Sequence, residues 1–494
     1  MAPRPPRTDL APGLDISRLV IGLWQVADME RSGTRIDPDR GAEALAAYAE
    51  AGFDTFDMAD HYGSAEDITG RLFERIAEGS LPPLAPRAFT KWCPVPGPMT
   101  REVVRAGVGR SLERMRRDRL DLLQFHWWTF EHPAYIDALE EIARMREEGL
   151  VAHVGVTNTD ADHLNLMIRH GLPIVSNQVS FSLLDRRAAG PLAAVAAATG
   201  VRLLAYGTLG GGFLTDRWVG RPEPTAGEIP DWSKSKYRRF VDTIGGWPAL
   251  QAILSAAQAI AAKHGVSVAN VATRWVLEQP AVAAIIVGAR LGEREHRDDN
   301  ARLFAFALDA EDHARLDEAF RQTRPVPGDC GDEYRRPPFL TASGDLSHHL
   351  DAMPKVYAGE PVPGRPGRLR VSTGSVWEPL AGYSRAVRAG NTITVSGTTA
   401  THGSGACIAP GDAAAQATYI LDKILASLAA LGASRDDVVR TRIYLVDAAD
   451  WEGVSRVHGH VFGEVRPANT LIEISGLVGE GYRVEIEADA VVGS

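Results

Sequence analysis

The sequence predicts an α/β protein with a (β/α)8 TIM barrel over residues 1–325, a linker over 326–372 and a small α+β domain over 373–494. The chain has 494 residues, too many for one ordinary domain, so two domains are expected. Up to residue 320, short apolar runs alternate with longer amphipathic stretches, which is typical of parallel strands joined by helices. A proline-rich stretch then separates this region from a second set of strands and helices.

Eight apolar runs are the predicted strands of the barrel: residues 19–23, 53–57, 88–92, 120–126, 152–156, 174–178, 201–206 and 283–288. Helical patterns lie between them, for example over 101–116, 134–147 and 162–169. The main alternative is an open, doubly wound sheet, but no Gly-x-Gly-x-x-Gly follows an early strand, so a closed barrel is favoured. The long connection over 210–247 predicts a functional lid or binding loop.

The linker is predicted from eight prolines between Pro325 and Pro366, which interrupt every periodic pattern. Beyond it, strands are expected over residues 384–387, 392–396, 438–446, 470–474 and 483–492. An amphipathic helix is expected over 412–431, followed by Gly432 as a left-handed cap, and a second helix over 451–462. A sheet covered by two helices makes a complete small domain.

Composition narrows the possible functions. The net charge of −10 and the pI of about 5.8 argue against nucleic acid and against an anionic membrane as partners. Cys93, Cys330 and Cys407 have no paired spacing, so neither a disulfide framework nor a metal site is expected, and a reducing cytoplasm fits best. No uncharged apolar run approaches the length of a membrane span, and the N-terminus does not resemble a secretory signal.

Ionisable residues follow three consecutive predicted strands. Asp57 ends the second strand and Tyr62 lies in the loop after it, while Lys91 and His126 end the third and fourth strands. Taken singly, each has a structural explanation, such as a helix cap, a surface lysine or a hydrogen-bonded core histidine. Together they are better explained as an active site, because the carboxyl ends of barrel strands meet at one mouth and a buried lysine needs a partner such as Asp57.

The heptapeptide Asp-Met-Ala-Asp-His-Tyr-Gly from Asp57 to Gly63, with Lys91 and His126, resembles the tetrad of the aldo-keto reductases. The resemblance covers about the first 330 residues. It implies hydride transfer from NADPH to an aldehyde or ketone, with Tyr62 protonating the carbonyl oxygen. Lys91, held by Asp57, would make the phenol a better acid, and His126 would orient the carbonyl through a hydrogen bond.

The same resemblance implies the cofactor contacts. Gly-Val-Thr-Asn at 155–158 and Asn-Gln at 177–178 resemble the segments that hold the nicotinamide carboxamide, with an aromatic residue after strand seven stacking on the ring. A glycine-rich stretch over 208–214 resembles a pyrophosphate loop, and Arg290 is the candidate for the 2′-phosphate. The complete predicted set is Thr157, Asn158, Gln178, Tyr206, Gly207, Leu209, Gly211, Gly288, Ala289, Arg290, His296 and Asn300.

Aromatic residues are expected around the substrate. Trp24, Trp92 and Trp127, with Trp128, are predicted to stand around the barrel mouth as walls of a substrate pocket. Tryptophan also commonly fills barrel ends, and nothing in these residues selects one carbonyl compound.

From about residue 376 the chain resembles the Rid (YjgF-like) enamine/imine deaminases, in motifs such as Tyr-Ser-Arg-Ala-Val at 383–387 and Arg-Pro-Ala-Asn-Thr at 466–470. The resemblance implies a chorismate-mutase-like fold, a homotrimer or multiple of three, and sites between subunits that use Tyr383, Ser396 and Glu485. Asn469 stands where the deaminases carry an arginine, and a neutral amide cannot bind a carboxylate bidentately. The domain is therefore either an assembly module or an active hydrolase with a different ligand.

Three hypotheses for the whole chain follow. The first is an NADPH-dependent carbonyl reductase whose second domain serves assembly or an accessory reaction. The second is a cascade in which the second domain hydrolyses an imine to the carbonyl that the barrel reduces. The third is a non-enzymatic barrel that senses NADPH, like the β-subunits of ion channels, and an intact tetrad disfavours it.

Overall fold

The computed structural model describes residues 4–26, 35–229, 232–292, 296–341 and 353–493. Part of the predicted linker, residues 342–352, lies outside these ranges.

The predicted barrel is confirmed. Eight parallel strands close on themselves in the order β10-β3-β4-β5-β6-β7-β8-β9. After the hairpin strands β1 (Arg7–Ala11) and β2 (Leu14–Ser17), these barrel strands are β3 (Leu19–Gly22), β4 (Thr55–Asp57), β5 (Arg87–Trp92), β6 (Leu120–His126), β7 (Val151–Thr157), β8 (Ile174–Ser180), β9 (Arg202–Tyr206) and β10 (Val282–Gly288). All eight predicted strands are therefore present, with small differences at their ends.

The sequence analysis missed the β1–β2 hairpin, because its strands are short and lie before the first barrel unit. The strands pair antiparallel, and Leu10, Leu14 and Ile16 pack with inward-facing barrel residues such as Phe89 and Leu122. These apolar side chains fill the barrel interior at one end, so the polar side chains collect at the other.

Helices connect the barrel strands and cover the outside. They are α1 (Pro38–Glu50), α2 (Ala65–Ala77), α3 (Arg101–Arg114), α4 (Tyr135–Glu147), α5 (Ala161–Arg169), α6 (Pro191–Thr199), α7 (Trp232–Thr243), α8 (Gly246–His264), α9 (Val268–Leu277), α10 (Arg297–Arg302) and α11 (Ala310–Arg321). The long predicted loop over 210–247 is only partly irregular, because it contains α7. This helix places Lys236 and Tyr237 beside the barrel mouth.

The predicted linker requires two corrections. Residues 328–341, which we call the strap, pack on the barrel and contain the short helix α12 (Asp332–Arg335). Two strands, β11 (Glu360–Pro361) and β12 (Arg368–Val371), belong to the sheet of the second domain. Proline predicts an interruption of regular structure but does not reveal whether the irregular chain packs on a neighbour.

The second domain is a seven-stranded sheet in the order β11-β12-β13-β14-β17-β15-β16. Its remaining strands are β13 (Ala386–Ala389), β14 (Thr392–Thr398), β15 (Val438–Leu445), β16 (Ala468–Glu473) and β17 (Val484–Val491). Its helices are α13 (Trp377–Ala381), α14 (Ala413–Ala430) and α15 (Trp451–Phe462), and α14 packs on α15, β14 and β17. Gly432 follows α14 with a φ of 79°, as the predicted left-handed cap.

The two domains pack against each other through α5 and α14. Asp412 caps α14 by accepting a hydrogen bond from the Ala415 amide, and the helix is then buried on most sides. The amphipathic pattern predicted one solvent-facing side, but that side covers the barrel. The carboxylate of Asp422, on this side, is buried and accepts a hydrogen bond from the Tyr135 hydroxyl at 2.7 Å.

Among the described residues, no helix combines the length and apolar character needed to cross a membrane.

Candidate active site

The four predicted catalytic residues come together at one mouth of the barrel. Asp57, Lys91 and His126 are contributed by the ends of β4, β5 and β6, and Tyr62 follows in the loop before α2. All four line one cavity of about 830 Å³. Parallel strands bring these positions together because their carboxyl ends all open on the same face.

Asp57 and Lys91 form a buried ion pair. The Nζ of Lys91 lies 2.6 Å from Oδ2 of Asp57 and donates a second hydrogen bond to the Met58 carbonyl at 2.9 Å. The other carboxylate oxygen, Oδ1, accepts from Nε2 of Gln124 at 2.9 Å and from Nε2 of Gln178 at 2.7 Å. A buried pair is stable only when its remaining hydrogen-bonding capacity is satisfied, and the two glutamines satisfy it here.

Tyr62 lies beside this pair. The Lys91 Nζ is 5.2 Å from the centroid of the Tyr62 ring, so the phenol is in the field of an ammonium ion. The ring is half-buried and packs edge-on against Trp24, with centroids 4.9 Å apart. The phenol therefore has a fixed orientation at the edge of the cavity.

His126 is buried, and its pKa lies well below the ordinary value. The main cause is burial, which disfavours the imidazolium, and the cations Arg335 and Lys91 act in the same direction. The ring is therefore neutral at pH 7 and carries one N–H. Its Nδ1 is 3.4 Å from the Thr157 carbonyl, longer than a normal N–H···O hydrogen bond, and its Nε2 has no partner among the described residues. The carbonyl-orienting role predicted from the sequence requires the tautomer with its N–H at Nε2, which gives up the long contact between Nδ1 and the Thr157 carbonyl.

Most predicted cofactor residues lie on the wall of the same cavity. Starting near the ion pair, the lining includes Thr157, Asn158, Gln178, Tyr206, Gly207, Leu209, Gly211, Gly288, Arg290, His296 and Asn300. Tyr206 donates a hydrogen bond to Oδ1 of Asn158 at 2.8 Å, and its pKa is well above the ordinary value, chiefly because the ring is buried. Gln178 donates its amide to Asp57 and Gln124, so the predicted carboxamide contact is here engaged with the ion pair.

Three predicted residues do not line the cavity. Ala289 is buried in the barrel wall, where its amide donates to the Gly22 carbonyl. Trp92 and Trp127 are also buried: Trp92 packs against Gly107, and Nε1 of Trp127 donates to the His132 carbonyl at 2.8 Å. Side chains alternate along a strand, so the neighbours of inward-facing Lys91 and His126 point outward. The substrate-pocket prediction is therefore wrong for Trp92 and Trp127, while Trp24 and Trp128 do line the cavity.

Other residues of the site were not predicted from the sequence. Gln124 does not line the cavity but donates to Asp57, and it could have been found by strand alternation, since it stands two positions before His126. Thr208, at the start of the glycine-rich stretch, has a buried hydroxyl with no partner among the described residues. Lys236 of α7 and Tyr334 of the strap come from segments without a recognisable periodic pattern, and no local signal pointed to them.

The cavity suits a dinucleotide. The orphaned hydroxyl of Thr208 is a free donor for an anionic group, and Gly207 and Gly211 leave backbone where a Cβ would clash with Tyr237 or Ser233. Arg290 and Asn300 line the same cavity and supply a cation and an amide. The residues present therefore fit a phosphate-bearing ligand.

Residues 18–321 match the family model described as the aldo/keto reductase family. The chain belongs to the aldo/keto reductase family. It is 32% identical over 212 residues to the protein tas of Escherichia coli K12, a match that covers 39% of this chain and 59% of that relative. The solved structure of a glycerol dehydrogenase from Gluconobacter oxydans covers 64% of this aldo/keto reductase chain and 95% of its own, at 22% identity and a TM-score of 0.54. That likeness shows the fold.

Asp60, His61 and Cys93 stand near the mouth of the reductase barrel with ligand atoms within 4.8 Å of one another. The sequence predicted no metal site, because Cys93, Cys330 and Cys407 have no paired spacing. The His61 ring already pairs with Asp60 at 3.0 Å and all three side chains are at least partly exposed, so we assign no metal to them.

In the second domain, three of the four predicted pocket residues lie near one another. The Tyr383 hydroxyl accepts from Arg385 at 3.1 Å, Ser396 lies on the neighbouring β14, and Glu485 lies on the next strand, packed over Gly397. The pKa of the Glu485 carboxyl is raised, chiefly by burial and despite the charge of Arg385.

Asn469 is not part of this group. It is exposed on the edge strand β16, where it donates to the Thr441 hydroxyl at 2.9 Å. Three strand spacings, or about 14 Å, separate β14 from β16. Within one chain the structure therefore does not bring Asn469 to Tyr383, Ser396 and Glu485.

Residues 373–492 of this aldo/keto reductase match a second family model, described as Endoribonuclease L-PSP. The same region is 44% identical to a Mycobacterium tuberculosis protein of the YjgF/YER057c/UK114 family, covering 25% of this chain and 99% of that one, at a TM-score of 0.23. The predicted fusion of an aldo-keto reductase with a YjgF-like domain is confirmed.

Proposed function

We propose that this protein reduces an aldehyde or ketone to an alcohol with NADPH. The observation that carries the proposal is the convergence of Asp57, Tyr62, Lys91 and His126 on one cavity, with a cation beside the phenol. The chain covers 59% of the curated relative described above, so the activity is inferred from the site rather than transferred from that protein.

Each residue of the tetrad has one task. Tyr62 gives its phenolic proton to the carbonyl oxygen, and the Lys91 ammonium stabilises the phenolate that remains. Asp57 holds Lys91 charged at 2.6 Å despite its burial. Neutral His126 donates from Nε2 to the carbonyl oxygen, which fixes the carbonyl and stabilises the negative charge that develops there.

The cofactor supplies the hydride when it is bound. Thr157, Asn158 and Gln178 would hold its carboxamide, and the stretch from Gly207 to Gly211 would hold its pyrophosphate through backbone amides. Arg290, which lines the same cavity, favours NADPH over NADH because a guanidinium binds a phosphate with charge-assisted hydrogen bonds.

The substrate end of the cavity is aromatic. Trp24, Trp128 and Tyr334 line it close to Tyr62 and His126. These walls exclude water from the reacting carbonyl and favour a compound with apolar or ring-shaped surfaces.

The proposal is tested by replacing Tyr62. Tyr62→Phe removes the proton donor and no part of the cofactor site, so carbonyl-dependent NADPH oxidation should fall by about 10²–10⁴-fold with NADPH affinity unchanged. Tyr48→Phe, in the core of α1, is the matched control and should keep its activity. Normal turnover by Tyr62→Phe would contradict the mechanism.

For the second domain, assembly into a trimer is proposed. Val439 on β15 and Ile472 on the edge strand β16 are exposed apolar residues, and apolar side chains exposed on a sheet suit contact with a second copy of the chain. Light scattering should give three times the mass of the chain, or a multiple of that, and a strict monomer would refute this assignment.

Imine hydrolysis in the second domain is the alternative role. The raised pKa of Glu485, in a half-buried site beside Tyr383 and Arg385, suits a general acid or base. Ammonia release from small imines by the full chain, lost in Glu485→Gln and kept in Tyr62→Phe, would establish this activity.

A further inference from the structure

The strap contributes a side chain directly to the reductase cavity. The Tyr334 ring lies 5.2 Å from the His126 ring and 6.0 Å from the Trp128 ring, measured between centroids. Its hydroxyl is 3.3 Å from the Tyr206 hydroxyl and accepts a hydrogen bond from Lys236 at 3.1 Å. Tyr334 therefore touches both the predicted substrate end and the predicted cofactor wall.

The next residue ties the strap to two active-site loops. The buried Arg335 guanidinium donates to the carbonyl of Asn158 and to that of Trp127, at 2.6 Å each. Gly331 approaches equally closely, because a Cβ there would lie 2.1 Å from the Asn158 carbonyl oxygen. Arg335 thus binds the loops after β6 and β7 at the same time, and a displacement of the strap would alter the position of both loops.

On the barrel side, an ion pair anchors the strap. Glu333 accepts from buried Arg187 at 2.8 Å, and Asp185 accepts from the same guanidinium at 2.7 Å. Breaking a buried pair is costly, so the N-terminal part of the strap has a firm attachment to the barrel.

On the other side, the strap is held by the second domain. His460 of α15 lies 3.5 Å from Oδ2 of Asp332 in the strap and 3.0 Å from Oδ2 of Asp162 on α5. Arg336 of the strap donates to the His460 carbonyl at 2.9 Å, and Arg456, one turn before, pairs with Asp162. A single residue of the second domain thus contacts both the strap and the barrel.

His460 is cationic in this position. Burial acts against the charge, but the carboxylates of Asp162 and Asp332 outweigh it and raise the pKa of the imidazole to about 10. At neutral pH the ring donates to Asp162 from Nδ1, and its charge attracts the Asp332 carboxylate beside Nε2.

The strap also lies between the two family matches, which end at residue 321 and begin at residue 373. We propose that the second domain is a positioning element of the reductase site: His460 clamps the strap, and the strap holds Tyr334 and the Asn158 loop in place. The effect on turnover rests on the proposed carbonyl reduction, whereas the clamp itself does not.

The clamp is tested first by hydrogen exchange on the full chain. In His460→Ala, backbone amides of residues 328–341 should exchange about tenfold faster than in the wild type, because the strap loses the imidazole beside Asp332. His458→Ala is the matched control: it lies on the same helix but pairs with Thr441 of its own sheet, and should leave the strap unchanged. Arg336→Ala removes the other contact, the hydrogen bond to the His460 carbonyl that His460→Ala keeps, and should also accelerate exchange.

The second test separates positioning from general destabilisation. His460→Ala should raise KM for the carbonyl about fivefold with a smaller change in kcat, because the cavity wall moves while the tetrad stays. On a Tyr334→Ala background the same substitution should add little to KM, since its route through Tyr334 is already removed.

The outcomes can be told apart. Unchanged exchange of the strap in both His460→Ala and Arg336→Ala would overturn the clamp, and additive effects of His460→Ala and Tyr334→Ala on KM would overturn its route through Tyr334. If the wild type reduced no carbonyl at all, the proposed function would fail while the exchange result would still report on the clamp.

Discussion

The barrel mouth and the second-domain pocket differ in how completely one chain builds them. At the mouth, side chains from β4, β5 and β6 meet in a single cavity. In the second domain, Tyr383 and Glu485 are close to Arg385, while Asn469 lies across the sheet on an edge strand. A closed barrel brings all its strand ends together, whereas an open sheet separates positions by the number of strands between them. The comparison predicts that the first site works in an isolated chain and that the second requires another copy.

The largest effect is expected when the ion pair of the barrel site is removed. Lys91→Met should lower kcat about 10³-fold, because the phenol loses the cation that stabilises its conjugate base. It should also cost about 3–5 kcal/mol of stability, since Asp57 would remain as an uncompensated buried charge. Steady-state kinetics and thermal unfolding measure the two losses. The double variant Asp57→Asn/Lys91→Met should recover much of the stability and none of the activity, and recovery of activity would contradict the assigned roles.

The next largest effect is expected at Arg290, which lines the same cavity. Arg290→Ala should weaken NADPH binding by about tenfold to a hundredfold, the equivalent of one charge-assisted contact of about 1.5–3 kcal/mol. NADH binding should change far less, because NADH lacks the 2′-phosphate. Titration of both nucleotides by fluorescence tests this, and equal losses for the two would remove Arg290 from the 2′-phosphate site.

A smaller effect is expected in the second-domain pocket. Asn469→Arg restores a guanidinium at the position where the deaminases carry one, and should raise ammonia release from an amino-acid-derived imine about tenfold. Asn469→Gln, which keeps an amide, is the control and should not. Reductase activity should be equal in both variants, and an absence of any gain would favour the domain as an assembly module.

The smallest effect is at the contact between the domains. Burial would lower the pKa of His163, but the carboxylates of Asp160 and Asp422 outweigh it and raise the pKa to about 9. Since the folded value is above the unfolded one, this stabilisation is complete below about pH 6.5 and is lost as the pH rises through about 9.

The wild type should therefore lose a few degrees of Tm, about 2–4 °C, between pH 6.5 and 9 in excess of the loss seen for His163→Gln. Differential scanning calorimetry at the two pH values checks this. Identical pH dependences would show that His163 is not charged in the folded protein.

Much of this arrangement could be predicted from local patterns. Strand position and the heptapeptide around Tyr62 placed the tetrad, and residues of the glycine-rich stretch do line the same cavity. The prediction for Trp92 and Trp127 was wrong because it relied on their adjacency in sequence to Lys91 and His126. Side chains alternate along a strand, so adjacent residues point to opposite sides of the barrel wall. Tyr334 had no local signal, because only its packing against His126 distinguishes it from other linker residues.

By itself, the sequence determined the eight parallel strands, the second sheet with its two main helices, and the residue types at the strand ends, since periodicity and turn chemistry are local properties of the chain. The tertiary structure alone decided that α14 is buried on its polar side, that Tyr334 of the strap lines the cavity, and that His460 contacts both the strap and the barrel. These features depend on contacts between segments more than a hundred residues apart, such as that of Asp162 with His460, which are 298 positions apart in the sequence. The sequence around either residue does not indicate this pairing, because the two charges attract each other strongly only after folding has buried them side by side.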